Sequence, residues 1–210
     1  MALWTLTAVP THQALPIGTT KGREGVVGLY LVAMGVVGAM ARPDGAQPQL
    51  LVVHGISLPP GEFGGPQIEQ LFTNTLDWDS HPYFGEIRGM QVSAHLLVKR
   101  NGELIQFVPF TQRAWHAGAS SFRGRSCCND YSIGIELEGA DEVPYEDCQY
   151  EVLIDVSKAL LQAYPEMSAR EIAAHSDIAP GRKTDPGTAF DWLRLYDGLS
   201  RELALEESDS

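Results

Sequence analysis

His175, Lys183 and Asp185 put an imidazole, an ammonium and a carboxylate into one short run, HSDIAPGRKTDPG, from His175 to Gly187. Pro180, Gly181 and Pro186 forbid one continuous helix between His175 and Asp185, so the loop can fold its two ends together and two metal-ligand types can converge. Zinc in hydrolases takes three protein ligands of the His and carboxylate kinds and leaves its fourth position to water, so a third ligand must come from elsewhere. His54 is the candidate. Leu50, Leu51, Val52 and Val53 form an apolar run typical of a buried strand, and His54 stands where that strand gives way to GISLPPGEFGG. Active sites often occupy such strand ends. A lone histidine is more often a satisfied core residue than a ligand, and it is the company of the other groups that lifts this one. Glu136 belongs to SIGIELEG, where Ile133, Ile135 and Leu137 alternate with Ser132, Gly134, Glu136 and Glu138, so one face of that strand is polar. On a solvated face Glu136 is a surface carboxylate; beside an activated water it is a general base.

The segments VVHGISLPPGEFGG, VSAHLLVKRNGELIQFVPF, RAWHAG, SIGIELEG and HSDIAPGRKTDPG, in this order, resemble the AmpD-type N-acetylmuramoyl-L-alanine amidases over roughly Leu50 to Leu195. The resemblance implies a zinc enzyme that cuts the amide between the lactyl group of N-acetylmuramic acid and L-alanine of the stem peptide, mostly on anhydro-muropeptides in cell-wall recycling. It implies one Zn2+ per chain, with His54, His175 and Asp185 as ligands, Glu136 as proton acceptor and Lys183 as transition-state stabiliser. Physical chemistry is consistent with those roles. Zinc lowers the pKa of bound water to about 7, and a carboxylate in reach can take its proton and later deliver it to the departing amine. An ammonium beside the developing oxyanion is worth roughly 3 kcal/mol.

The same fold serves peptidoglycan recognition proteins, some of which bind cell-wall fragments without cutting them and have typically lost a zinc ligand. Here both histidines, Asp185, Glu136 and Lys183 are present, which favours catalysis. An exported amidase of broad specificity is the other alternative. Related phage lysozyme-amidases carry a tyrosine before the histidine that corresponds to His95, where this chain has Ala94, and they lack the Glu136 carboxylate. His95 itself reads as structural, because a further ligand would close the position that water needs. Gly55 stands where close relatives often have Asn, and Gln91 and Cys127 where they often have Arg. These departures bear on the grip on sugar and peptide, not on the catalytic centre. Trp115 offers an aromatic surface for a sugar ring, with His116 either beside it at the substrate or buried as a structural partner. Arg113, Arg123 and Arg125 are candidates for the muropeptide carboxylates, and Arg182 adds a cation next to Lys183. His12 and His81 receive no role.

The 210 residues, 44% hydrophobic, suffice for one enzyme domain with an ample core. Fifteen Lys and Arg against 27 Asp and Glu give a net charge of -12, which argues against a general hold on nucleic acid or on an anionic membrane. The anionic muropeptide must then be attracted locally, by Arg182 and Lys183. A monomer is expected. Cys127, Cys128 and Cys148 leave an odd count, and adjacent cysteines rarely bridge, so reduced thiols in a cytoplasmic protein are the default. A cysteine nucleophile lacks a base.

The uncharged run Val26 to Ala41, preceded by Lys21 and Arg23 and ending Ala39-Met40-Ala41, has features of an export signal, which would make the protein periplasmic. It is short for a membrane span of about 20 residues and is weakened as a helix by Gly28, Gly35 and Gly38, so an apolar strand is the favoured reading. The expected organisation is an N-terminal segment over 1–44, a zinc amidase domain over 45–200 and an acidic tail over 201–210.

The patterning reads as α/β: one domain with a central mixed β-sheet flanked by helices. After the Leu50–His54 strand comes a short helix over Gln67–Thr73, a hairpin turning at Asn101-Gly102 and the SIGIELE strand. Next comes a helix over Gln149–Tyr164 with Leu153, Val156, Leu160 and Ala163 on one face and Glu146 and Asp147 at its positive end. Glu171 to His175 delivers the second ligand. A last helix opens at Pro186 and packs Phe190, Leu193 and Tyr196.

Overall fold

Three polar positions on one strand, Ser132, Gly134 and Glu136, lie at the centre of the molecule, because the strand that carries them is buried on both faces. The computed structural model describes residues 29–31 and 39–206. In chain order its strands are β1 (Leu29–Leu31), β2 (Met40–Ala41), β3 (Leu50–Ile56), β4 (Leu96–Val98), β5 (Leu104–Gln106), β6 (Gln112–Arg113), β7 (Ser121–Phe122), β8 (Arg125–Ser126), β9 (Ser132–Glu138) and β10 (Ile172–Ala174). The helices are α1 (Gln67–Phe72), α2 (Pro82–Glu86), α3 (Asp147–Ala163), α4 (His175–Ile178) and α5 (Trp192–Glu206). Six strands form one sheet in the order β1-β5-β4-β9-β3-β10, all neighbours parallel except the β4–β5 hairpin. That hairpin turns through Gly102, whose φ of 82° is a left-handed conformation that glycine adopts without strain.

Alternation along the central strands sorts the two faces. Leu51 and Val53 of β3 and Ile133, Ile135 and Leu137 of β9 pack under Leu153, Val156 and Leu160 of α3 and Leu195 and Leu199 of α5. Helix α3 begins two residues earlier than its apolar pattern suggests, because Glu146 and Gln149 form a reciprocal capping box. On the opposite face α1 and α2 cover Leu97 and Ile105, while the segment around Ala117 and Cys128 covers Leu50 and Val52. The polar face of β9 is therefore not the solvated surface that its alternation allows.

The last helix departs from expectation. It opens at Trp192 rather than Pro186, since the Ala189 amide is taken by the Asp141 carbonyl and Asp191 Oδ1 caps the Arg194 amide at 3.0 Å. The later start leaves Leu193 77% exposed, and Leu195 and Leu199 enter the core in its place. The helix runs on to Glu206, into the segment expected to be a tail. Of the apolar N-terminal run, Leu29–Leu31 pairs in parallel with β5 and Met40–Ala41 pairs with β6; residues 26–28 and 32–38 lie outside the described residues.

Two buried polar groups hold the site face together. His95 Nδ1 accepts from the Gly134 amide at 3.0 Å, which places its proton on Nε2, 3.0 Å from the Gln112 carbonyl. Burial, then the Arg42 charge, pushes His95 down to about 3, so the ring stays neutral. Arg42 donates to the carbonyls of Phe110, Asp130 and Ser132 at 3.1, 3.1 and 2.9 Å. Its pKa is lowered by burial to about 10, which still leaves the guanidinium charged at neutral pH. Arg42→Met leaves these carbonyls without their donor, and urea denaturation is expected to show a loss of about 3 kcal/mol. An unchanged midpoint counts against Arg42 as the tie between these segments.

Candidate active site

The register of the sheet brings the chemistry to one end of three adjacent parallel strands. His54 of β3 pairs with Glu136 of β9, and Ala174 at the end of β10 pairs with Val53, so His175 emerges beside His54. Open α/β sheets expose their ligand sites at the carboxyl ends of such strands. His175 opens α4, and the loop after that single turn folds back until the Ser176 amide donates to the Asp185 carbonyl at 3.1 Å. As a result His54 Nδ1 lies 2.9 Å from His175 Nδ1 and 3.3 Å from Asp185 Oδ2, and His175 Nδ1 lies 3.0 Å from the same oxygen. Glu136 Oε1 stands 3.9 Å from His54 Nδ1.

Two imidazole nitrogens and one carboxylate oxygen facing a common point suit a small dication of borderline softness. Ligand atoms about 2.0–2.1 Å from a tetrahedral zinc lie roughly 3.3 Å apart, close to the separations found. Among the described residues, this is the group of His, Cys and carboxylate side chains that could hold a metal ion. The far ring nitrogens are also engaged, as in metal sites generally: His175 Nε2 is 3.4 Å from the Ala117 carbonyl, and His54 Nε2 is 2.9 Å from His116 Nδ1.

Electrostatics agree with that donor set. Burial above all lowers His54 to about 4, so its ring is neutral and has a lone pair at pH 7. Burial pushes the Asp185 carboxyl up, but hydrogen bonds from His175 and His54 outweigh it and hold the group below the ordinary carboxylate range. Glu136 moves the other way: burial and the neighbouring Asp185 raise it well above its usual value, while the Lys183 charge opposes them. A dication at the cluster would act on Glu136 in the same sense as Lys183.

The remaining candidates are placed unevenly. Lys183 is exposed, with its charge felt at both Glu136 and His54. Trp115 is 41% exposed, and the Arg113 guanidinium lies 3.8 Å from its ring centroid. His116 is buried behind His54 rather than standing beside Trp115 on a surface. Arg113 is paired with Asp130, and Arg123 with Glu171, while Arg125 lies over Tyr131 at 3.8 Å. Arg182 donates to the Ala117 and Ala119 carbonyls at 2.6 and 2.9 Å, so it ties down the AWHAG loop. The arginines read as substrate contacts thus each have a structural partner within the protein.

Two further residues shape the site without any signal in the sequence. Asn129 Oδ1 accepts the amides of His116 and Ala117 at 3.1 and 2.8 Å. Tyr145 donates to the Pro186 carbonyl at 2.9 Å and fills the space that a side chain at position 55 would need, since a Cβ on Gly55 would fall 2.3 Å from its hydroxyl oxygen. The glycine after His54 is thus matched by a tyrosine wedged against the loop that carries Asp185.

A mixed sheet that gathers two histidines and two carboxylates at the ends of parallel strands, around a point suited to a metal ion, defines a hydrolytic centre of the amidase type. Residues 44–188 match the family model described as N-acetylmuramoyl-L-alanine amidase, and the chain belongs to that family. It is 58% identical over 161 residues to the "1,6-anhydro-N-acetylmuramyl-L-alanine amidase AmpD" of Escherichia coli strain K12, covering 77% of this chain and 87% of the relative. Among solved structures it is similar to that described as "crystal structure of Se-Met AmpD derivative", with TM-score 0.77 and 54% identity over 81% of this chain and 93% of the other. A more distant likeness, with TM-score 0.53 and 32% identity, is to AmiD from Escherichia coli in complex with "the substrate anhydro-N-acetylmuramic acid-L-Ala-D-gamma-Glu-L-Lys", over 76% of this chain and 60% of that one.

Proposed function

We propose that this amidase is a zinc enzyme of peptidoglycan recycling, which cleaves the lactyl–L-alanine amide of anhydro-muropeptides in the cytoplasm. The observation that carries the reading is the convergence of His54 Nδ1, His175 Nδ1 and Asp185 Oδ2, 2.9–3.3 Å from one another, with Glu136 beside them. The names of the AmpD relative and of the AmiD complex support the anhydro-muropeptide as substrate.

His54, His175 and Asp185 are the residues that would hold the metal. Zinc bound there supplies a Lewis acid for the scissile carbonyl and lowers the pKa of water. Glu136 takes the proton of the attacking water and returns it to the amide nitrogen as the C–N bond breaks, so the L-alanine amine leaves neutral. The oxyanion that forms on the lactyl carbonyl is assigned to the exposed Lys183 ammonium, and the reach of its charge to Glu136 supports this. Trp115 remains the candidate platform for the sugar, with Arg113 over its ring and Arg182 bonded to the Ala117 carbonyl of the same loop, while His116 lies behind His54. Lys183→Met is expected to lower kcat by roughly 10²–10³-fold with little change in metal content, as for loss of one oxyanion donor. Wild-type kcat in that variant removes the role.

The residues proposed for the site all come from one chain, which supports a monomer with residues 45–200 as its catalytic domain. The three free cysteines suit a reducing compartment. Among the described residues, no helix is long and apolar enough to cross a membrane. The mass of the protein taken from its native host tests the location: loss of about the first forty residues indicates export.

The deciding experiment incubates the zinc-loaded protein with anhydro-N-acetylmuramyl-tripeptide and with its hydrated counterpart, and follows free peptide by mass spectrometry. Chelator-sensitive release from the anhydro form alone is the expected result. Release from both forms makes it a broader cell-wall amidase, and binding without release overturns catalysis.

A further inference from the structure

His116 is buried against a candidate metal ligand, yet nothing in the reaction above requires a histidine there. Its Nδ1 lies 2.9 Å from His54 Nε2 and its Nε2 lies 3.2 Å from Ser132 Oγ; the two imidazole planes meet at 89°. A neutral imidazole carries one N–H and one lone pair, so protons can be placed along this chain in two ways. In one, His54 Nε2–H donates to His116 Nδ1, His116 Nε2–H donates to Ser132 Oγ, and His54 Nδ1 has a free lone pair. In the other, His116 Nδ1–H donates to His54, and the His54 proton sits on Nδ1, 2.9 Å from His175 Nδ1, where a cation would have to be. Only the first leaves the site able to take a metal.

We propose that His116 is a positioning residue, which holds His54 in the Nε2–H tautomer and so presents its Nδ1 lone pair to the metal, with Ser132 fixing His116 in turn. This rests on His54 being a zinc ligand. The surroundings are shaped for the ring. A Cβ on Gly134 would fall 2.4 Å from His116 Cγ, so the glycine in SIGIELEG makes the room the imidazole occupies. Asn129 Oδ1 fixes the backbone by accepting the His116 and Ala117 amides. Partners that orient a ligating histidine typically change metal affinity by about 10–100-fold when lost.

The test is the zinc Kd of the full chain, measured by competition with a chromogenic chelator. His116→Leu keeps the bulk and removes the acceptor; its Kd is expected to rise by about 10–100-fold. His116→Asn, whose Oδ1 stands near the position of the ring Nδ1, should recover most of that loss, which a purely space-filling role does not predict. A wild-type Kd in the leucine variant overturns the proposal. Should that variant fail to fold, the zinc-loaded wild type labelled with ¹⁵N-histidine still decides. A scalar coupling between His54 Nε2 and His116 Nδ1, with the His116 proton on Nε2, is expected; resolved rings with no coupling and the proton on Nδ1 overturn it. If His54→Ala binds zinc as tightly as the wild type, the ligand assignment itself fails and takes this inference with it.

Discussion

Glu136→Gln is expected to reduce turnover of the anhydro-muropeptide by about 10²–10⁴-fold while metal content and fold stay as in the wild type. Glutamine keeps the shape of the side chain and its place on β9 opposite His54, but it cannot take a proton from water at neutral pH. Among the described residues around it, His54, His175 and Asp185 are the proposed metal ligands and His95 donates to Gln112 from a ring held neutral by burial, so none is placed to replace it. Steady-state kinetics with metal analysis on the same preparation separate the two effects. If metal is retained and kcat is unchanged, Glu136 is not the proton carrier. If metal is lost, Glu136, 3.9 Å from His54 Nδ1, is part of the ligand set instead.

Removing the metal should abolish turnover outright, and one equivalent of zinc should restore it. Without the ion the site has no Lewis acid, because the exposed Lys183 ammonium can offer charge and hydrogen bonds but cannot accept an electron pair. The fold should survive the treatment. The core under α3 and α5 is separate from the cluster, and His54 and His175 can share hydrogen bonds with Asp185 in the absence of the ion. Metal that binds only the folded chain adds stability by mass action, about 2.7 kcal/mol at a free concentration a hundred times Kd. Thermal melts should therefore show a folded metal-free protein with a lower midpoint than the zinc-loaded one. Full activity in the chelated protein, with metal shown to be absent, overturns the zinc reading.

Much of this architecture is local and can be read along the chain. The apolar run ending at His54, the alternation of SIGIELE and the heptad-like spacing of Leu153, Val156 and Leu160 each follow from the burial of one strand or helix face, which is a property of neighbouring residues. The Pro and Gly between His175 and Asp185 likewise require a folded-back loop, so the nearness of those two groups is already implied by residue type. Helix ends were less legible, because they depend on distant partners. Trp192 rather than Pro186 begins the last helix since Asp141 and Tyr150 take the amides of Ala189 and Asp191, and no pattern within 186–196 announces either.

What only the tertiary structure decided is which polar groups spend their hydrogen bonds on the protein itself. By residue type Arg113, Arg182 and His116 are equally suited to a substrate or to a neighbour. Asp130, the Ala117 carbonyl and His54 take them, and these lie 17, 65 and 62 positions away along the chain. The polar face of β9 is settled in the same way: alternation shows that Ser132, Gly134 and Glu136 share a face, and only packing shows that His116, His95 and His54 cover it. A sequence determines which side chains can donate or accept. Long-range packing determines which of them meet, and it is packing that turns His54, His175 and Asp185 towards one common point where a metal ion could be held.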